Sequence, residues 1–260
     1  MLGLFSCAQY GYYQSPLHTN MNAYRATPLQ SENKPFSTTL SGSFTQGAAN
    51  QNSKDNFYFF QGGMHNTHQI KGLQFAYGLN AGLGSYKVTP YSGDVNSTPY
   101  NYYLNTSYIN SMAGHKFFRT WGGFTSINVV KSFPKGGEWR IFGAEWNWQR
   151  EGGDYLDFRR SLDFNDANLN DKNREYMTLS FTTEILGKTK GGDYGYKFAY
   201  GTALRTMRQY TENGTGRNVL PGSLSQTFHI TQDRITGYAQ LNTGFYAFNF
   251  RVGMNYQLSR

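Results

Sequence analysis

The chain has 260 residues and a formal net charge of +8, yet only 15% of its residues are charged and its mean hydropathy is −0.62, so Asn, Gln, Ser, Thr and Gly supply the polarity. Aromatics reach 17% and Gly contributes 30 residues, whereas a soluble domain carries about 25% charge and builds its core from aliphatic side chains. No run of about 18 apolar residues is present, which excludes a transmembrane helix; the single Cys excludes an internal disulfide framework. Lys and Arg are dispersed and form no basic run or nucleic-acid motif, so no nucleic-acid partner is expected.

Leu4-Phe5-Ser6-Cys7 has the form of a bacterial lipobox, with an aliphatic residue, a small residue and an acceptor Cys in the required order. The six residues before Cys7 include no basic one, so residues 1–7 read as a truncated signal segment with Cys7 as the expected lipid attachment site. The other reading of Cys7 is an ordinary thiol. Residues 8–34 lack periodicity and are rich in Tyr, Asn, Gln, Ser and Pro, as an irregular tether or plug would be.

From Phe36 the apolar period becomes 2, the strand signal. Phe36, Thr38, Leu40, Gly42 and Phe44 share one face, followed by Tyr58, Phe60, Gly62 and Met64 in a second segment. In 73–84 the alternation is clean: Leu73, Phe75, Tyr77, Leu79, Ala81 and Leu83 oppose Gln74, Ala76, Gly78, Asn80, Gly82 and Gly84. Residues 117–131 form a strand with mixed faces. In 139–149, Phe142, Ala144, Trp146 and Trp148 oppose Gly143, Glu145 and Asn147. Two further strands follow at 175–186 and 194–206, then short ones at 225–231 and 234–242, separated by a turn at Gln232-Asp233 where the apolar phase slips. The last strand carries Tyr246, Phe248, Phe250, Val252, Met254, Tyr256 and Leu258 on one face. One apolar and one small or polar face suit a wall between lipid and a hydrated interior. The expected fold is therefore all-β: an antiparallel transmembrane barrel of about ten strands (8–12) over residues 35–260. A soluble β-sandwich would show more Val and Ile and turns about every 8–12 residues.

The connections follow the asymmetry of such barrels. Residues 46–56, 88–116, 150–174 and 208–224 become long extracellular loops, and His68–Gly72, Phe133–Glu138, Lys188–Asp193 and Gln232–Asp233 short periplasmic turns.

The aromatic, Gly-rich strands, the final Phe248-to-Leu258 strand and the Ser6-Cys7 start together resemble small outer-membrane barrel proteins of the Bacteroidota. The terminal Leu258-Ser259-Arg260 departs from the usual aromatic end of that style, and Ala8, Gln9 and Tyr10 replace the acidic residues that follow surface-exported lipoprotein cysteines there. The resemblance implies a Gram-negative outer membrane, a lipid in its inner leaflet and an amino terminus in the periplasm.

On these faces Glu145, Glu184, Lys197, Arg205 and Arg251 point inward, where charges must pair or stay hydrated. Side chains largely fill small barrels, so an ion-pair network plugging the lumen is expected in preference to a selectivity ring. Tyr100, Tyr102, Tyr103 and Tyr108 form an outer aromatic girdle or a loop contact surface. The acidic and basic stretch Glu151, Asp154, Asp157, Arg159, Arg160, Asp163 and Asp166 reads as a solvated loop with internal ion pairs, the alternative being a calcium site that lacks the EF-hand pattern. The histidines are His18, His65, His68, His115 and His229; His65 and His68 face opposite sides of a strand, and His115 beside Lys116 is a candidate base without an identified partner. No G-x-S-x-G or H-E-x-x-H arrangement appears, so no catalytic residue, metal or cofactor is expected. The leading reading is a non-enzymatic accessory barrel of an envelope complex such as secretion, gliding or assembly machinery, with membrane lipid and other envelope proteins as partners. The alternatives are a narrow channel or ligand-binding barrel, and a lipid-modifying enzyme with a Ser–His or acidic–His pair near a rim.

Overall fold

The computed structural model describes residues 12–19, 22–30, 35–49, 55–90, 106–134, 136–163, 167, 169–210, 216–244 and 247–258. Two short elements come first, β1 (Tyr12–Tyr13) and α1 (Pro16–Thr19). Long strands follow: β2 (Phe36–Ala49), β3 (Asn56–Ile70) and β4 (Leu73–Val88). Helix α2 (Thr106–Ser111) precedes β5 (Gly114–Ser132) and β6 (Glu138–Gly152). Helix α3 (Asp154–Ser161) and β7 (Leu169–Asn170) lie between β6 and β8 (Glu175–Thr189). After β9 (Gly192–Ala203) come the short β10 (Met207–Tyr210) and β11 (Gly216–Val219), then β12 (Gly222–Gln232), β13 (Ile235–Gly244) and β14 (Ala247–Gln257).

Strands β2, β3, β4, β5, β6, β8, β9, β12, β13 and β14 close into one antiparallel barrel of ten, with β14 pairing back onto β2. Closure pairs every strand on both sides and leaves no edge to water or lipid. The alternation read from sequence sets the two faces. Phe60, Leu79 and Ile230 are 62%, 70% and 68% exposed on the outer wall, while Gln74, Asn249 and Arg251 are buried inside. Cross-strand aromatic pairs such as Phe44–Phe60 (4.7 Å between centroids) and Tyr196–Phe228 (4.8 Å) tie neighbouring strands together on the outside. So large an apolar exterior has no counterpart on soluble monomers.

The mixed faces of β5 have a physical origin: its inward positions carry Phe118 and Phe124, both buried, and its outward row includes Arg119. In β6 the register shifts by one residue between Arg140 and Gly143 against both neighbours, a bulge that leaves Ile141 and Phe142 both exposed and returns Arg140 to the interior.

Short turns close one end of the barrel. Lys71-Gly72 and Asp233-Arg234 make two-residue connections, with Gly72 at φ 77° and Asp233 at φ 54°, where a hairpin twisted in this sense needs positive φ. The other end carries α2, α3 and a four-stranded sheet in the order β1-β7-β10-β11. By the asymmetry of outer-membrane barrels, this long-loop end faces outward.

The amino-terminal segment takes a path that strand reading does not show. Tyr12 and Tyr13 pair parallel with Leu169 and Asn170 beyond the long-loop end. Residues 22–30 then descend the lumen: Gln240 in mid-barrel donates to the Asn22 carbonyl, and Gln30 reaches the carbonyls of Ile70 and Leu73 at the short turns. Tyr12 is thus fixed at the long-loop end by β7, and the expected periplasmic amino terminus falls on residues 1–11, outside the described residues. Cys7 lies outside the described residues.

Candidate functional site

Two packed regions fill the inside of the barrel. In the lower lumen, inward positions of strands all around the barrel meet residues 22–30. The Arg140 guanidinium sits between Glu138 (2.8 Å) and Glu184 (2.7 Å) and also donates to the Thr27 carbonyl at 3.1 Å. Glu184 accepts from the Tyr24 hydroxyl at 2.8 Å and lies 2.9 Å from His229 Nε2; the Tyr24 and His229 rings stack at 4.4 Å. Glu145 pairs with Lys197 and lies 3.8 Å from Arg25, whose guanidinium covers the Phe124 ring at 3.2 Å. His65 bonds the Ala26 carbonyl at 2.9 Å, and Arg251 donates to Thr45 at 2.9 Å. Cavities of about 30 and 10 Å³ adjoin this segment, room for a water molecule and little else. Glu138, Arg140, Glu145, Glu184 and Arg251 are buried and Arg25 and Lys197 nearly so, so these contacts hold the segment in one register: removing a partner strands an ion in a poorly polarisable interior.

At the outer mouth the interior becomes aromatic. Phe57 and Phe59 of β3, Tyr86 of β4, Phe118 of β5 and Tyr176 of β8 pack with Tyr13, Leu17 and the inner face of α3. Gly153 (φ 113°) turns the chain from β6 into α3, a backbone conformation that side-chain-bearing residues rarely adopt. Tyr155, Leu156 and Phe158 are thereby driven into the mouth. Arg159, with no solvent exposure, pairs with Glu151 (2.5 Å) and Asp171 (3.3 Å), and Ser15 donates to the second oxygen of Glu151. Burial alone would lower the proton affinity of Arg159; Glu151, Tyr176 and Asp171 outweigh it and raise it well above its ordinary value. Burial also raises Tyr155 well above the usual phenol value. The expected solvated loop is thus corrected. Glu151 and Arg159 are core residues because α3 presents an apolar face with the arginine on it; Asp154, Asp157, Arg160 and Asp163 stay exposed.

Of the inward charges expected from sequence, Glu145, Glu184, Lys197 and Arg251 lie in the lumen. Arg205 does not: β9 ends at Ala203, and Arg205 sits exposed in the following bend. Tyr108 lies on α2, packs against the aromatic cap and donates to Ser161 at 2.9 Å; Tyr100, Tyr102 and Tyr103 lie outside the described residues. His65 points inward, whereas His68 lies outside between Phe36 and Tyr77. Sequence reasoning missed Tyr24, Arg25, Glu138, Arg140 and His229. It also missed the 3.2 Å contact of His115 Nδ1 with Ser85 Oγ on the outer wall, which follows from Ser85 and His115 occupying adjacent rows of β4 and β5. Among the described residues no carboxylate hydrogen-bonds His115. Above the cap, a cleft of about 420 Å³ opens between the end of α3 and β10, with Leu162 and Met207 buried at its floor and Lys172 and Arg208 exposed.

A closed ten-strand antiparallel wall, apolar outside and filled inside, defines an outer-membrane β-barrel of a Gram-negative cell. No family model and no curated protein matches the chain. Among solved structures it is similar to Neisserial surface protein A (12% identity, TM-score 0.36, covering 86% of this chain and 97% of that one). It is also similar to the β-domain of the Bordetella autotransporter BrkA (10%, 0.38, 86% and 99%). A third likeness is to the translocator domain of the autotransporter NalP from Neisseria meningitidis (8%, 0.34, 86% and 88%). Scores at this level say nothing about role.

Proposed function

We propose that this protein is a non-enzymatic accessory barrel of an envelope complex that holds a fixed platform at the cell surface. The observation that carries this reading is the amino-terminal segment locked along the lumen by Glu138, Arg140, Glu145, Glu184 and His229, beneath a packed aromatic cap. A conducting barrel needs a hydrated path, and the water-sized cavities beside the segment do not supply one. The cap fixes α3 and Tyr108 of α2 against the barrel mouth, which gives a partner a preorganised surface. The test has two arms. Purified protein in planar bilayers is expected to be electrically silent, and photo-crosslinkers at Lys172 and Arg208 are expected to capture a discrete envelope protein in cells. Stepwise conductance together with no crosslinked partner would overturn the proposal in favour of a channel.

The Ser85–His115 contact favours a second reading, a lipid hydrolase at the outer rim. Against it, His115 lacks an orienting carboxylate among the described residues, and the β4 backbone around Ser85 is committed to β3 and β5, leaving no pair of free N–H groups for an oxyanion. Hydrolysis of lipid vesicles by wild-type protein, lost in Ser85→Ala, would decide for that reading.

A further inference from the structure

The outer wall near the long-loop end carries a slot with the chemistry of a lipid site. The register places Tyr58, Ser85 and Phe117 in one row across β3, β4 and β5, with Phe60, Leu83 and Arg119 in the row below and Asn56, Lys87 and His115 in the row above. The small side chain of Ser85 between two aromatic rings opens a depression of about 470 Å³, whose surface is mostly apolar. Its walls face out of the barrel: Phe60, Leu83 and Phe117 are 62%, 68% and 66% exposed. A cavity of that size is in the range that holds small organic ligands.

The charges around the slot determine the kind of lipid. Arg119 is exposed on a lipid-facing row and makes no ion pair among the described residues. Opposite it β6 ends at Gly152, which has no side chain to cover the guanidinium, and α3 then starts from Gly153 with no side-chain cap on its first amides. Lys87 and His115 stand one row further out, and Ser85 holds the His115 ring through Nδ1. Asp154 is the one acidic side chain lining the slot. An unpaired cation on a barrel's outer wall is tolerated at the level of the headgroups and penalised at the midplane. Arginine is also suited to binding phosphate through two parallel hydrogen bonds.

We propose that this slot binds a phosphorylated glycolipid of the outer leaflet, with a phosphate on Arg119 beneath Lys87 and one acyl chain running from the gap at Ser85 inward over Phe60 and Leu83. The outer-leaflet source follows from the position of the slot at the long-loop end. The headgroup phosphate supplies the counter-charge that the barrel withholds from Arg119, and the acyl chain covers the apolar walls.

The test is titration of the purified full-length barrel in mild detergent, read by native mass spectrometry. The ligands are lipid A, its dephosphorylated form and phosphatidylglycerol. Wild-type protein is expected to retain lipid A in preference to both others. Arg119→Gln is expected to weaken lipid A binding about fivefold, the contribution of one basic group at the headgroup level, and to leave the dephosphorylated form unchanged. Ser85→Trp fills the slot and is expected to abolish retention. Leu224→Trp, a lipid-facing change on β12 across the barrel, is expected to have no effect; each variant is first checked for the gel-mobility shift of a folded barrel. Equal retention by wild type, Arg119→Gln and Ser85→Trp would overturn the site. Equal or tighter retention of phosphatidylglycerol would overturn the glycolipid assignment.

Discussion

Replacing Arg159 by Met tests how the cap is held. The side chain is fully buried and its guanidinium bonds Glu151 at 2.5 Å, Asp171 at 3.3 Å and the Tyr176 hydroxyl at 3.0 Å. Met replaces the arginine stem without the guanidinium or its charge, so the substitution leaves two buried acidic groups facing each other without a cation. Breaking a buried ion pair from one side costs about 3–5 kcal/mol. The barrel strands have their own ladders, so this cost falls on the cap, and its local opening should rise by roughly two to four orders of magnitude. Amide hydrogen exchange in Tyr155–Phe158 reads that opening directly, and β3 and β4 serve as internal controls. Adding Glu151→Gln and Asp171→Asn should restore much of the protection, since neutralising a whole buried cluster is far cheaper than orphaning part of it. Unchanged exchange in the single variant would refute the argument, as would a triple variant more open than the single one.

Three further outcomes are expected. Burial holds the Tyr155 proton more tightly in the capped state than in the open state, whose phenol titrates near its ordinary value of about 10. The resulting stability is fully present below that value and is lost as pH rises through the higher capped-state value; proteolysis of α3 should therefore accelerate above about pH 10, and less steeply in Tyr155→Phe. Arg140→Leu orphans Glu138 and Glu184 beside the Tyr24 hydroxyl and should loosen residues 22–30, producing flickering currents in planar bilayers where wild-type protein is silent; a silent variant would show that the ion pairs do not hold the segment. Trp121, Trp139 and Trp146 are 51%, 37% and 40% exposed on the outer wall, so brominated lipids should quench their fluorescence strongly and aqueous acrylamide weakly, whereas the reverse pattern would contradict the membrane orientation.

The strands, their faces and the closed wall were legible in the sequence because two different environments meet at a pleated sheet. Each alternate residue is chosen for lipid or for the interior, and the record survives in positions such as Phe248, Phe250, Val252 and Met254 against Asn249, Arg251 and Gly253. Loop length added the direction. Glu145, Glu184, Lys197 and Arg251 followed from that parity alone. Parity failed where a local event resets it: the bulge at Ile141-Phe142 returned Arg140 to the lumen, and the end of β9 at Ala203 released Arg205.

What only the tertiary structure decided is the fate of segments without a period. Residues 22–30 make no regular element, and their course is set by contacts across great sequence separation, such as Tyr24 with Glu184 and His229. The cap is decided in the same way, by Ser15 meeting Glu151 and Tyr155 donating to the Gln14 carbonyl. Alternation encodes which solvent a side chain meets, and it is local. Which distant charge neutralises a buried one depends on closure of the barrel, and no local pattern in the chain carries that information.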